Sequence, residues 1–367
     1  MPGSHVKRIH PICRPWLWTL LATGLCSSAA CTAGVTSPST ALESGVSPAG
    51  ASRAPGAAPG PAEAVGDAAH APASTYRRDV EFIASERASG SDHWRAVAER
   101  CETAFAEAGF TVSRQTYATG MNIVGELAGS KRPDELVMAS AHYDSVAGCT
   151  GADDNASGVA GLWRVARAFA GRRGERTLVL ACWDEEERGL LGSKAFVHDL
   201  DGTRVVAHTV LEMIGFRASL PRTQTLPAGF ERLFPESAQA IAEREWRGDF
   251  IALIADEMSS SFALDYEQRA AAIGLPTVRV VLSRPLLQSD LSSPFRRSDH
   301  APFWAAQLPS VLLTDTAEFR NGNYHCARGP DAPATLDYDF AVQVVDTATA
   351  ALQHALAVGG RDDTAPP

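Results

Sequence analysis

The sequence predicts an α/β fold: a three-layer sandwich whose mixed, mainly parallel central sheet is covered by helices on both faces. Two observations predict it. Short, near-continuous apolar runs of strand length alternate with longer amphipathic stretches through most of the chain, the pattern of strands buried between crossover helices. The 367 residues also leave about 290 once a low-complexity N-terminal stretch is set aside, enough for one well-buried core.

In chain order, residues 94–109 (WRAVAERCETAFAEAG) read as an amphipathic helix closed by Gly109. β-rich runs follow at 111–117, 122–128 and 135–141, the last being ELVMASA. A helix is expected at 156–170 and a buried strand at 177–183 (TLVLACW). Further strands are expected at 206–212, 250–255, 277–282 and 310–314, with helices at 236–245, 300–306 and 336–357. Ligands of such sheets sit beyond the carboxyl ends of the strands.

Composition narrows the function. Hydrophobic residues at 45% and charged residues at 21% exclude a disordered chain or a polytopic membrane protein. A net charge of -10 argues against a nucleic-acid partner held through its phosphates. Residues 1–75 carry four cations, Lys7, Arg8, Arg14 and Arg53, against Glu43, Glu63 and Asp67. Lys7, Arg8 and Arg14 precede the apolar run 15–25 (PWLWTLLATGL), which has signal-peptide length and is too short to span a bilayer. The string Ser28-Ala29-Ala30-Cys31 resembles a bacterial lipobox. Residues 1–31 are therefore expected to be a lipoprotein-type signal peptide. Of the 44 residues at 32–75, 31 are Ala, Gly, Pro or Ser, the composition of a flexible tether. The folded domain is expected over 76–367. The chain would be exported, as a periplasmic or outer-membrane-anchored lipoprotein or else secreted, with membrane contact only through that anchor.

Polar residues gather at the predicted strand ends. His142-Tyr143-Asp144 follows strand 135–141, and Asp154 lies twelve residues past His142 within GADDNASG. Asp184-Glu185-Glu186-Glu187 follows strand 177–183, Glu212 closes strand 206–212, and His325 follows strand 310–314. Singly each has a plain explanation: Asp-Asn pairs cap helices, and acidic runs are often solvated. Together, two histidines and at least three carboxylates at one sheet edge suit zinc, with room for two ions sharing a carboxylate. Asp144, on the same strand face as His142, is placed to orient its imidazole.

The segments HYDS, GADDNASGVAGLWRVAR, EEERGLLGS, LEMIG, SDHAPFW and YH…TLDY resemble the M28 metallopeptidases, the bacterial leucyl-aminopeptidase-like group, from about residue 76 to 350. The resemblance implies two Zn2+ per chain. His142 and Glu212 would hold one, Glu187 and His325 the other, and Asp154 would bridge them. Glu186 would be the general base and acid, with Asp144 supporting it, and Glu185 a solvated or structural acid. It also implies a cis bond between Asp154 and Asn155, and a first-residue pocket lined by Met213, Leu190 and Phe319. The family carries a tyrosine, an oxyanion donor, where Phe295 stands, which leaves Arg297 and Tyr324 as candidates. Asp299 and His300 either support the ligands or cap a helix, and Asp331 has no assigned role.

The implied function is aminopeptidase action on peptides by a monomer. The alternatives are another M28-type specificity (carboxypeptidase or dipeptidase), a glutaminyl cyclase, or a non-catalytic binding lipoprotein. If Asp154 and His325 share a zinc, their loops converge, and Cys149 and Cys326 are expected to form a disulfide in an oxidising compartment. Cys101 and Cys182 are expected to be small core residues.

Overall fold

A computed structural model describes residues 73–200 and 204–357. The expected signal peptide and nearly all of the expected tether lie outside them. The first helix begins at Ala73, so the last three residues of that tether are helical. Among the described residues no helix is long and apolar enough to cross a membrane.

The strands are β1 Thr111–Thr116, β2 Met121–Leu127, β3 Arg132–His142, β4 Arg176–Trp183, β5 Arg204–Leu211, β6 Ile251–Asp256, β7 Thr277–Leu282 and β8 Val311–Thr314. They form one sheet in the order β1-β2-β4-β3-β5-β8-β6-β7. Its centre, β4-β3-β5-β8, is parallel, while β2 is antiparallel to β4, β1 to β2, and β6 to β8. β6 and β7 are parallel to each other. The mixed, largely parallel sheet is the expected one.

The helices are α1 Ala73–Ile83, α2 Asp92–Glu107, α3 Gly158–Ala168, α4 Leu191–Asp199, α5 Phe230–Leu233, α6 Pro235–Glu243, α7 Ser260–Ala272, α8 Arg284–Leu287, α9 His300–Ala305 and α10 Tyr338–Ala357. Strand alternation sorts the core between two faces. Val137, Ala139 and Ala141 of β3 and Leu178, Leu180 and Cys182 of β4 pack under α1, α2, α3, α7 and α10. Met138, Val179, Ala181 and Trp183 point the other way, onto Phe196 of α4 and Phe303 of α9. Further along that second face, Ala252, Ile254, Val278 and Val280 pack against α5 and α6.

Several helices were not expected. α1 buries Tyr76, Val80 and Ile83, a helical spacing hidden by the Ala- and Ser-rich run before it. α7 buries Ala263, Tyr266 and Ala270, an inner face of mostly alanine with little apolar contrast. α4, α5 and α8 are short and were also unforeseen.

The cysteines require one correction. Cys101 and Cys182 are both fully buried, as expected of core residues, but they are bonded to each other, with Cα atoms 6.7 Å apart. Cys101 lies on the inner face of α2 and Cys182 on the β4 face beneath it, so two positions that look separately apolar meet. The expected Cys149–Cys326 bond is present, with Cα atoms 5.6 Å apart.

Candidate active site

Because β3, β4, β5 and β8 run parallel, their carboxyl ends open on one edge and the expected polar residues converge there. His142 is the last residue of β3, and Glu212 directly follows β5. The turn after β4 carries Glu185, Glu186 and Glu187, and the loop after β8 carries His325. His142 Nε2 lies 3.2 Å from Asp154 Oδ1 and 3.1 Å from Glu212 Oε2. His325 Nε2 lies 3.2 Å from Asp154 Oδ2 and 3.2 Å from Glu187 Oε2.

Two donor sets therefore share Asp154: His142–Asp154–Glu212 and Asp154–Glu187–His325. A third grouping, His142–Glu186–Glu187, lies within similar reach. Ligands about 2.0 Å from a tetrahedral zinc are separated by roughly 3.3 Å, close to the spacing seen here. The Glu187 Oε1 oxygen is buried with no hydrogen-bond partner. Nitrogen and oxygen donors at these separations, with a buried oxygen left over, fit zinc at both sets.

The electrostatics agree. Burial opposes charge on His325, but Asp154 and Glu187 outweigh it and push the imidazole pKa up to about 10. Burial would raise Asp154, yet hydrogen bonds from the two histidines hold it below the usual range. Glu186 is pushed up by burial and then by its neighbours Glu212, Asp299 and Glu187, against the pull of His142.

Several groups fix this arrangement. Asp144 Oδ1 lies 3.3 Å from His142 Nδ1, and its two oxygens accept the backbone N–H groups of Glu186 and Glu187 at 3.1 and 3.2 Å. One carboxylate thus fixes an imidazole relative to both glutamates. The Asp154–Asn155 peptide is cis, as expected. Asn155 donates to the Leu211 carbonyl and accepts from Gly158 and Met213, joining the Asp154 turn to the end of β5. A Cβ on Gly158 would stand 2.3 Å from the Leu211 carbonyl oxygen, so only glycine fits there. Ser298 Oγ donates to Glu212 Oε2 at 2.8 Å.

Other expectations resolve differently. Glu185 is fully buried, accepts from Thr119 and pairs with Arg188, so its role is structural and not solvated. Asp331 accepts the amides of Asp153 and Asp154 at 3.0 Å and so anchors the bridging turn. Asp299 precedes α9 without capping it and accepts from Ser193, while His300 lies 2.7 Å from the Phe295 carbonyl. Neither joins a donor set. Arg87 was not foreseen. Fully buried, it donates to the carbonyls of Tyr143, Thr150, Gly151 and Asp154 at 2.7–3.2 Å. A lone arginine between two helices carries no sequence signal for that role.

Beside Glu186 and Glu212 opens an apolar cavity of about 120 Å³. Met213 and Phe319 line it as expected, with Phe230, Phe250, Ile254 and Val280 deeper in. Leu190 does not. It sits in the left-handed region, φ 61°, at the start of α4, and faces a separate groove with Met258 and Trp304. The turn that starts the helix carries its side chain away from the donor sets.

The family model described as peptidase family M28 matches residues 122–352. An uncharacterized protein, YfbL, of Escherichia coli strain K12 is 28% identical over 303 residues, covering 76% of this chain and 86% of that protein. Leupeptin-inactivating enzyme 1 of Streptomyces exfoliatus is 33% identical over 138 residues, covering 35% of this chain and 31% of that enzyme. Among solved structures, an aminopeptidase from Aneurinibacillus sp. strain AM-1 shares the fold at a TM-score of 0.59 and 13% identity, covering 78% of this chain and 95% of its own.

Proposed function

The chain belongs to peptidase family M28, and on that premise we propose that it is an exported two-zinc aminopeptidase that releases apolar N-terminal residues from peptides. The observation that carries this reading is the pair of donor sets sharing Asp154, each with a histidine nitrogen about 3.1–3.2 Å from two carboxylate oxygens. His142, Asp154 and Glu212 would hold one ion, and Asp154, Glu187 and His325 the other.

Two zinc ions held by these sets would supply Lewis-acid polarisation of the scissile carbonyl and would acidify the attacking water. The remaining work belongs to the chain. Glu186, outside both sets yet fixed beside Glu187 by Asp144, takes the proton from the water and returns it to the leaving amine. The cavity lined by Met213, Phe319 and Phe250 excludes water from the first side chain and favours an apolar one.

Export is supported by the cationic n-region and apolar run of residues 7–25 and by two disulfides, which persist in oxidising compartments. Whether Cys31 is lipidated is decided by mass spectrometry of the mature N-terminus. We read the working unit as a monomer.

Metal analysis combined with a substrate panel tests the reading. About two metal equivalents and cleavage of aminoacyl-anilides but not of N-acetylated peptides are expected. Glu186→Gln should keep its metal and lose a factor of about 10²–10⁴ in kcat, whereas Glu187→Gln should lose metal. Full activity with a single bound ion, or preference for blocked termini, overturns it.

A further inference from the structure

The groove that Leu190 faces has a volume of about 550 Å³ and shares a wall with the apolar cavity. Within residues 294–298, Phe295, Arg297 and Ser298 line the cavity, whereas Arg296 lines the groove. Its apolar surface comes from Leu190, Leu287, Trp304 and Met258, the last 56% exposed. Apolar surface left open in a concavity marks a place where a ligand lies.

Three cations, Lys194, Arg284 and Arg296, also line the groove. Lys194 Nζ donates to the Gly189 carbonyl at 2.8 Å, and Arg284 Nη2 donates to Gln307 Oε1 at 2.9 Å. Both acceptors are neutral, so neither charge is cancelled. Among the described residues the Arg296 side chain has no hydrogen bond or ion pair. The two acids of the groove are already engaged. Asp256 is buried and accepts from Ser259, and Glu257 Oε2 accepts the Arg284 backbone N–H at 3.2 Å. In a chain of net charge -10, three cations without ion-pair partners on one groove favour an anionic occupant.

The direction of cleavage identifies that occupant. The first side chain fills the cavity, and Glu186 returns its proton to the leaving amine, so the rest of the peptide departs on the Glu186 side. From Glu186 the chain turns through Gly189, φ 104°, into Leu190 at the groove wall. We infer that the groove holds the peptide downstream of the scissile bond and selects an acidic side chain there, through Arg296, Lys194 and Arg284. This rests on the peptidase reading above. No bond forms or breaks in the groove; it supplies only affinity and selection.

The test uses the metal-loaded protein and pentapeptide amides that begin with leucine and alanine and carry glutamate, glutamine or lysine at the third and fourth positions. The amide terminus removes the terminal carboxylate, so only the side chains differ. The wild-type protein should prefer the glutamate peptide to the glutamine one by about 3–10-fold in kcat/KM, chiefly through KM, with the lysine peptide poorest. Raising salt to about 0.5 M should erase most of that preference. Arg296→Glu should bring the glutamate-to-glutamine ratio to one or below and favour the lysine peptide. If the wild-type protein cleaves none of the peptides, the peptidase reading itself fails. If it cleaves all three equally, or Arg296→Glu keeps the wild-type ratio, only the role of the groove is overturned. The same holds if a charge preference appears only when the peptides end in a free carboxylate.

Discussion

His142 and His325 face the same aspartate from opposite sides, and the chain holds them by different means. His142 ends a buried strand, is 1% exposed, and has Asp144 behind its Nδ1. His325 sits in a loop, is 37% exposed and adopts φ 53°, and among the described residues both of its carboxylate partners face Nε2, with none at Nδ1. What secures it is the neighbouring bond from Cys326 to Cys149, five residues before Asp154, and the stacked ring of Tyr324. A ligand on a strand end inherits its position from the sheet ladder. One on a loop needs a covalent or packing constraint of its own.

The largest expected effect tests the strand-end half. The Arg87 guanidinium collects carbonyls from Tyr143, just past His142, and from the turn ending at Asp154. Arg87→Met leaves those buried acceptors without donors, which should cost about 3–5 kcal/mol. Urea unfolding measures it. A loss below about 1 kcal/mol would mean the turn supports itself and the comparison is weaker than drawn.

Next comes the loop half. The double variant Cys149→Ser/Cys326→Ser should lose about 2–4 kcal/mol of stability. The more telling readout is metal release: one of two equivalents should leave faster under a chelator, because only the His325 set is loosened. Release of both equivalents at the wild-type rate would show that packing around Tyr324 suffices to hold His325.

The same contrast explains what was legible in the sequence. His142, Glu212 and the Glu186–Glu187 pair follow apolar strands that any parallel-sheet reading detects, and direct succession to a strand end fixes their position. The cavity was only partly legible. Met213 and Phe319 fall on it, but Leu190, the residue after Gly189 (φ 104°), also enters the left-handed region (φ 61°), a backbone event that the glycine alone does not announce. Arg87, Asp331 and the Cys101–Cys182 bond act across 56 or more residues of chain. Each is one polar or small residue with an ordinary local context. Their roles exist only once distant loops have been brought together, and helices with alanine faces such as α7 escape for the related reason that their packing partner supplies the apolar contrast.

A buried histidine outside the donor sets sharpens the point, with the smallest effect. His208 of β5 is as inaccessible as His142, yet it meets two hydroxyls, Ser140 Oγ at 2.8 Å and Ser310 Oγ at 2.9 Å, and the Phe303 ring at 4.1 Å. With no carboxylate at hand, burial pulls its pKa down to about 3. The folded value lies below the unfolded one of about 6.5, so neutral His208 contributes stability that is fully present above pH 6.5. That contribution is lost as pH falls toward 3, at about 1.4 kcal/mol per pH unit. His300, pulled down to about 4 by burial, adds a parallel loss over a narrower window. Unfolding free energies between pH 7 and 5 should therefore fall less steeply in His208→Asn than in the wild type, by about two-thirds of a proton's worth of slope. An unchanged slope would mean that His208 is charged in the folded protein. Burial alone would then no longer separate a core histidine from one that faces carboxylates at the sheet edge.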